Sequence, residues 1–181
     1  MSKAPSSMKH MDHFERLGLP RDPRPCPVQL EKAYLQKSRE THPDLQRGRG
    51  NGVDREYDLH LEESAALNEA YRVLSRPWER FAYLVELYDP GVLERTKKLS
   101  PEFLMEAMEM GEAIEEARGD PKKERAIATE LQEKIVKTRE RIADLLKVPN
   151  QAEEAAILLH QSHYLRRALE TLQRSEDRVP L

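Results

Sequence analysis

The sequence has 181 residues, of which 38% are hydrophobic and 35% charged, and its formal net charge is −3 at pH 7. This length suits one or two small domains, and the high charged fraction with only 7 glycines favours amphipathic helices over a sheet protein. The negative net charge argues against a dedicated nucleic-acid-binding protein, and no apolar run is long enough to span a membrane.

The cysteine content and the N-terminal segment bear on which sites the chain can hold and on where in the cell it is expected. The single cysteine, Cys26, excludes an intrachain disulfide and any zinc or iron–sulfur site built from several cysteines of one chain. The segment 1–8 lacks the apolar core of a signal peptide. We therefore expect a cytoplasmic protein with no membrane segment.

The first two helices are predicted from the residues that cap or break them. Residues 1–10 carry no periodic apolar pattern and are expected to be disordered. The first helix should begin near Met11 or Asp12, with Asp12 as its N-cap, and Gly18 and Pro20 should stop it. After a proline-dense connector, a second helix is predicted over residues 28–41.

Two further helices complete an N-terminal domain predicted at residues 11–88. The third helix runs from about residue 54 to residue 75, and the fourth covers residues 78–87. The apolar residues of the third helix are predicted to be buried, namely Leu61, Ala65, Leu67, Ala70, Tyr71 and Leu74.

The second half predicts a separate helical domain. A breaker, Asp89-Pro90-Gly91, opens a predicted linker at residues 89–99, and a domain at residues 100–176 precedes a tail at 177–181. Caps at Ser100-Pro101 and Asp120-Pro121 and a break at Pro149-Asn150 define three helices, at about residues 101–118, 121–146 and 152–174. Short connections favour antiparallel neighbours, so the fold class is all-α, with a C-terminal antiparallel three-helix bundle.

One tripeptide, His42-Pro43-Asp44, stands between the second and third helices. Pro43 ends the helix because it lacks a backbone donor and restricts the residue before it, and Asp44 presents a carboxylate. The preceding helix carries positive charge, which favours a fast and salt-sensitive encounter with a protein partner, at Lys32, Lys37 and Arg39. Taken alone, the tripeptide could also be an ordinary polar turn.

The surrounding segments give the tripeptide a context. They are Asp12-His-Phe-Glu-Arg-Leu-Gly-Leu19, Ala65-Ala-Leu-Asn-Glu-Ala-Tyr-Arg-Val-Leu-Ser75 and Trp78-Glu-Arg-Phe-Ala-Tyr-Leu84. In this order and at this spacing, residues 11–88 resemble the J-domain of DnaJ-type co-chaperones, and the sequence that follows is similar to the HscB/Jac1 family of iron–sulfur cluster assembly. The resemblance implies that His42, Pro43, Asp44 and the basic residues bind an HscA/DnaK-class chaperone and stimulate its ATP hydrolysis.

A second candidate site lies on the helix predicted at residues 101–118. Its segment Phe103-Leu-Met-Glu-Ala-Met-Glu-Met-Gly-Glu112 is similar to the HscB stretch that binds an IscU-type scaffold protein. The resemblance implies an apolar contact with an acidic rim, the contact made by Leu104, Met105, Met108 and Tyr164 and the rim by Glu109, Glu112 and Glu116. From the residues alone, the pattern favours a plain amphipathic helix, with methionine as core filler and glutamate on the solvated side.

Nothing in the sequence predicts an enzyme or a cofactor. It contains no nucleophile elbow, Gly-rich phosphate loop or HExxH motif. The histidine pairs, His10 with His13 and His160 with His163, supply too few ligands for a metal site. We therefore expect a regulator of a partner's ATPase, with a chaperone and a scaffold as partners and with no nucleic acid or membrane.

Two alternatives stay open. The chain could be a J-domain co-chaperone with a different client, in which case the acidic helix is only a solvated surface. It could also be a helical adaptor with a silent J-like domain, because Lys37 and Thr41 depart from the usual family pattern.

Overall fold

The computed structural model describes residues 11–41 and 55–176. Within these ranges the chain forms α-helices and no strand, as the all-α prediction requires. The helices are α1 (His13–Leu17), α2 (Pro27–Thr41), α3 (Arg55–Ser75), α4 (Pro77–Tyr88), α5 (Val92–Arg95), α6 (Pro101–Ala117), α7 (Pro121–Leu145) and α8 (Ala152–Glu176). In the described ranges, no helix is both long enough and apolar enough to cross a bilayer.

The chain divides into two compact units, and the boundary falls between Arg80 and Phe81, inside α4. The linker predicted at residues 89–99 does not coincide with this boundary. That segment contains α5, which packs against α8, and the side chains of Val92 and Leu99 are buried. These residues therefore belong to the core of the C-terminal unit, because they carry apolar groups that a solvated linker would expose.

In the N-terminal unit, α1 is fixed by a capping box. The Asp12 carboxylate accepts hydrogen bonds from the backbone amides of Phe14 (2.8 Å) and Glu15 (2.9 Å), and the Glu15 carboxylate accepts one from the Asp12 amide (3.1 Å). Gly18 ends the helix in the left-handed region, at φ 69°. This short helix is thereby held with Phe14 and Leu17 buried toward the core.

Helices α2 and α3 pack together through an aromatic pair. The rings of Tyr34 and Tyr71 stack with centroids 4.4 Å apart, and the Tyr34 hydroxyl donates to Asn68 Oδ1 at 2.8 Å. The burial predicted for Leu61 and Ala65 is wrong, since both are exposed and Leu61 keeps 54% of its surface. At 100° per residue they lie about 140° and 180° around α3 from the stripe that is buried.

Arg80 joins two parts of the same unit. Its guanidinium is buried, and its Nε donates to the carbonyl oxygen of Pro23 at 3.0 Å while its Nη1 donates to that of Leu74. The Leu74 carbonyl lies in the last turn of α3, where such groups lack helical partners. Burial lowers the pKa of Arg80. The proline-dense connector is thereby attached to the end of α3.

The C-terminal unit contains the predicted antiparallel three-helix bundle, α6 to α8, together with α5 and most of α4. The caps predicted from the sequence are present, because Ser100 Oγ accepts from the Phe103 amide (3.2 Å) and Asp120 from the Lys122 amide (3.1 Å). A core cluster with contributions from all three helices contains Leu131, Leu165 and Leu172, with Met110, Ile114, Ile127, Ala128, Ile135, Ala168 and Leu169 packed against it. The inward side of α6 is thus committed to the bundle.

Candidate functional site

The tripeptide His42-Pro43-Asp44 lies outside the described residues, so its role stays a prediction. The helix that leads to it is described, and its outer side carries both charge and apolar surface. Val28, Lys32, Leu35 and Arg39 follow one another at spacings of 4, 3 and 4 residues, which places them in one stripe of α2. All are exposed, and Val28 keeps 72% of its surface.

The structure separates the three predicted basic residues of α2. Lys32 and Arg39 share the exposed stripe, whereas Lys37 lies about 140° around the helix from Lys32 and is half-buried. Lys37 Nζ forms an ion pair with Glu40 Oε2 at 2.9 Å, and this hydrogen bond is the main reason that the pKa of Glu40 is lowered. Of the three cations, Lys32 and Arg39 are therefore the two that lie on the same exposed side of α2.

The second candidate site is the outer face of α6. It comprises the six predicted residues of that helix, Leu104, Met105, Met108, Glu109, Glu112 and Glu116, which we call the α6 face, and all six are exposed. At 100° per residue they span an arc of about 140°, centred opposite the side that packs into the bundle. Met105 and Met108 keep 62% and 67% of their surface, near the middle of this arc.

The resemblance adds Tyr164 of α8 to this face, and in the structure Tyr164 contacts α6 through Phe103. Its ring meets that of Phe103 edge-on, with centroids 5.8 Å apart and an interplanar angle of 82°. A small cavity of about 200 Å³ beside Tyr164 is lined on α6 by Ala107 and Gly111. Because Leu104, Ala107 and Gly111 adjoin one another on the helix surface, Tyr164 extends the α6 face at its Leu104 edge.

Phe103 is a residue of the candidate site to which the sequence analysis assigns no role of its own. It is half-buried and fixes the Tyr164 ring by the edge-on contact. Such contacts are favourable because the positive edge of one ring faces the negative face of the other. An aromatic residue in the first turn, one residue before the apolar pair, is the signal that could have indicated it.

The electrostatics of α6 are one-sided. The helix carries six glutamates and no lysine or arginine. Glu115 pairs with Arg118 at 2.9 Å, but within the described part of the chain no lysine or arginine forms an ion pair with Glu109, Glu112 or Glu116. The negative charge on the α6 face is therefore available to a positively charged partner.

The histidines of the C-terminal unit do not form a site of their own. His160 Nε2 lies 2.9 Å from the carbonyl oxygen of Leu93, which links α8 to α5, and His163 is exposed. Among the described residues, no group of three histidine, cysteine, aspartate or glutamate side chains could hold a metal ion. His160 therefore has a structural explanation.

Comparison with known proteins places the chain in a family. Residues 99–173 match the family described as the HSCB C-terminal oligomerisation domain. The chain is 33% identical over 138 residues to the "Co-chaperone protein HscB homolog" of Bordetella pertussis, covering 75% of this chain and 78% of that protein. It is 30% identical over 162 residues to the "Iron-sulfur cluster co-chaperone protein HscB homolog" of Arabidopsis thaliana, covering 90% of this chain and 62% of that protein.

The fold agrees with these relatives. The crystal structure of human co-chaperone protein HscB superimposes with a TM-score of 0.74 over 98% of this chain and 87% of that chain, at 24% sequence identity. This likeness establishes the shared fold, an N-terminal J-domain followed by a C-terminal helical bundle. The sequence relationship to the Bordetella protein, which extends over most of both chains, shows that this chain belongs to the HscB/Jac1 family of co-chaperones.

Proposed function

We propose that this protein is a co-chaperone of iron–sulfur cluster assembly that binds an IscU-type scaffold through the α6 face and delivers it to an HscA/DnaK-class chaperone. In this proposal, the exposed stripe of α2 and His42-Pro43-Asp44 contact the chaperone and stimulate its ATPase. The chemistry of ATP hydrolysis belongs to the partner, and this chain contributes the simultaneous binding of the two proteins. The name of the Arabidopsis relative supports the iron–sulfur role.

The observation that carries the client assignment is the composition of the α6 face. Two exposed methionines lie at its middle, and three carboxylates without an ion pair among the described residues lie beside them. An exposed apolar group with a charged rim is typical of a protein-binding surface, and methionine adapts to an irregular partner. The client surface that fits this face is apolar at its centre and basic at its edge.

The description of the matched family as an oligomerisation domain favours one other occupant, a second copy of this chain. Two α6 faces brought together would place their glutamates against each other. Like charges across an interface are strongly unfavourable, and here no lysine or arginine of α6 compensates them. The charge therefore favours a basic client over self-association through this face.

The test is steady-state ATP hydrolysis by the HscA-type chaperone of the same organism, with this protein and the IscU-type scaffold added singly and together. We expect synergistic stimulation by the pair. His42→Gln should abolish the stimulation. Met105→Ala/Met108→Ala should keep the J-domain effect but make it insensitive to scaffold, and Val136→Ala, which truncates an exposed apolar residue of α7, should behave as the wild type.

The outcomes separate the proposal from its alternatives. Stimulation that does not depend on scaffold would support the role proposed for the J-domain and contradict the client assignment. No stimulation under any condition would favour the silent adaptor, for which the Lys37–Glu40 ion pair is a reason, since it reduces the positive charge of α2. The proposal also places the protein in the cytoplasm, where a reducing environment is compatible with the exposed thiol of Cys26; cell fractionation tests this part.

A further inference from the structure

We propose that Met105 and Met108 form an oxidation-sensitive site, at which hydrogen peroxide converts both thioethers to sulfoxides and thereby releases the scaffold from the α6 face. This inference rests on the proposed function, because it concerns the regulation of the same surface. Its first step, the selective oxidation of two methionines, is a property of this chain alone.

The geometry makes these two thioethers the accessible ones of the bundle. Met105 and Met108 keep 62% and 67% of their surface, and they are three residues apart on one side of α6. Met110, two residues further on, packs against the core cluster of Leu131, Leu165 and Leu172. Oxidation of methionine depends on access to its sulfur, so the exposed pair should react before Met110.

The negative charge of the α6 face favours a neutral oxidant over an anionic one. Glu109, Glu112 and Glu116 create a negative potential around the methionines, which lowers the local concentration of anions. Hydrogen peroxide is neutral and is not repelled. In the reaction a sulfur–oxygen bond forms and the oxygen–oxygen bond breaks; the sulfur gives up two electrons, and the departing hydroxide takes a proton to become water.

Methionine sulfoxide is less suited than methionine to an apolar contact at the α6 face. A sulfoxide is polar and well hydrated, so each oxidised side chain would have to lose its water to enter an apolar contact. The fold itself should tolerate the change, because both side chains already stand mostly in water. Methionine sulfoxide reductases reverse the step with a dithiol, which becomes a disulfide as the sulfoxide oxygen leaves as water.

Occupancy and oxidation should exclude each other. Bound scaffold would cover both sulfurs, and oxidised sulfurs would disfavour binding. Peroxide would therefore act mainly on the free co-chaperone, and it would stop new deliveries to the chaperone before it affected existing complexes.

The experiment treats the full-length protein with hydrogen peroxide, removes the excess with catalase, and maps sulfoxides by peptide mass spectrometry. Binding of the IscU-type scaffold is then measured by calorimetry, and helicity by circular dichroism. We expect Met105 and Met108 to oxidise several-fold faster than Met110, scaffold binding to weaken by about tenfold or more, helicity to stay unchanged, and added reductase with dithiol to restore binding.

The matched control is Met105→Leu/Met108→Leu, which keeps the face apolar and removes both sulfurs but retains the other methionines of the chain. Its affinity for the scaffold, measured first without peroxide, should not change after peroxide treatment. A double variant that loses binding after peroxide would overturn the inference, and so would a wild type oxidised at both positions that binds as before. If the reduced wild type does not bind scaffold, the proposed function fails and this inference fails with it.

Discussion

The α6 face can be tested by one substitution that separates binding from stability. Met105→Ala removes an apolar side chain that keeps 62% of its surface in the free protein. Full burial of such a side chain contributes about 1.5–3 kcal/mol, and only about a third of that applies here. Alanine is also a slightly better helix former. We therefore expect the free energy of unfolding to fall by roughly 0.5 kcal/mol.

The same substitution should have a larger effect on binding. A residue at the centre of an interface typically costs more than about 1 kcal/mol when it is truncated to alanine, and 2 kcal/mol or more at a hot spot. The dissociation constant for the scaffold should therefore rise by about 5- to 30-fold. The effect should be on the dissociation rate rather than on the association rate, because the change removes no charge.

Two controls frame this prediction. Leu131→Ala truncates a side chain that keeps 2% of its surface in the bundle core, so it should cost about 2–5 kcal/mol of stability. It should leave the affinity of the folded fraction near that of the wild type. Val136→Ala, at an exposed position of α7, should change neither quantity by more than about 0.5 kcal/mol.

The assays are urea unfolding followed by circular dichroism and titration calorimetry with the scaffold. Equal losses of stability in Met105→Ala and Leu131→Ala would mean that α6 buries its outer face against something in the free protein. Unchanged affinity in Met105→Ala, with a stability loss as small as expected, would refute the argument that the exposed methionines form the client contact.

Three further predictions follow from charge and capping. Asp12→Ala should lower the free energy of unfolding by about 1–2 kcal/mol, because it leaves two backbone amides of α1 uncapped. Asp12→Asn keeps a capping oxygen and should retain most of the wild-type stability. Urea unfolding measures both variants. Burial lowers the pKa of His13, so its contribution to stability should be present above about pH 6.5 and be lost as the pH falls through its folded-state pKa. A smaller drop in the urea midpoint between pH 7.5 and 5.5 for His13→Gln than for the wild type would confirm this. Replacing Glu109, Glu112 and Glu116 by glutamine should slow scaffold association about tenfold at low salt and flatten its salt dependence in stopped-flow measurements.

Helix ends were predictable from the sequence because their causes are local. Asp12, Ser100 and Asp120 each accept hydrogen bonds from backbone amides two or three residues away, and the proline that follows Ser100 and Asp120 is favourable at the first helical position. No distant contact is needed to recognise such a cap. The all-α class and the order of the helices follow from the same short-range signals.

What the sequence could not give depends on tertiary contacts. Asp89-Pro90-Gly91 is a genuine break, but whether the residues after it form a linker depends on whether Val92 finds a buried site, which it does in the C-terminal unit. Similarly, Leu61 fits an apolar list for α3 but lies off its buried stripe. Apolar composition predicts that a helix is buried on one side, and the packing partner decides which side.

The candidate site likewise has some features that follow from local sequence spacing and others that depend on the folded structure. Resemblance brought Lys32, Lys37 and Arg39 together as one basic group, but helix geometry separates Lys37 from the other two and pairs it with Glu40. The six residues of the α6 face share one exposed side, because their spacing within a single helix fixes that side. Tyr164 was predicted through the resemblance alone, since its place beside Phe103 depends on how α8 packs against α6.

The structure of α6 separates the side that builds the fold from the side that is proposed to bind a partner. Its inward side contributes Met110 and Ile114 to the core cluster, and this burial holds the helix in the bundle. Its outward side leaves Met105 and Met108 in water, where they contribute little to stability and remain available for a contact. Because the two sides are opposite, a change on the α6 face leaves the core packing in place.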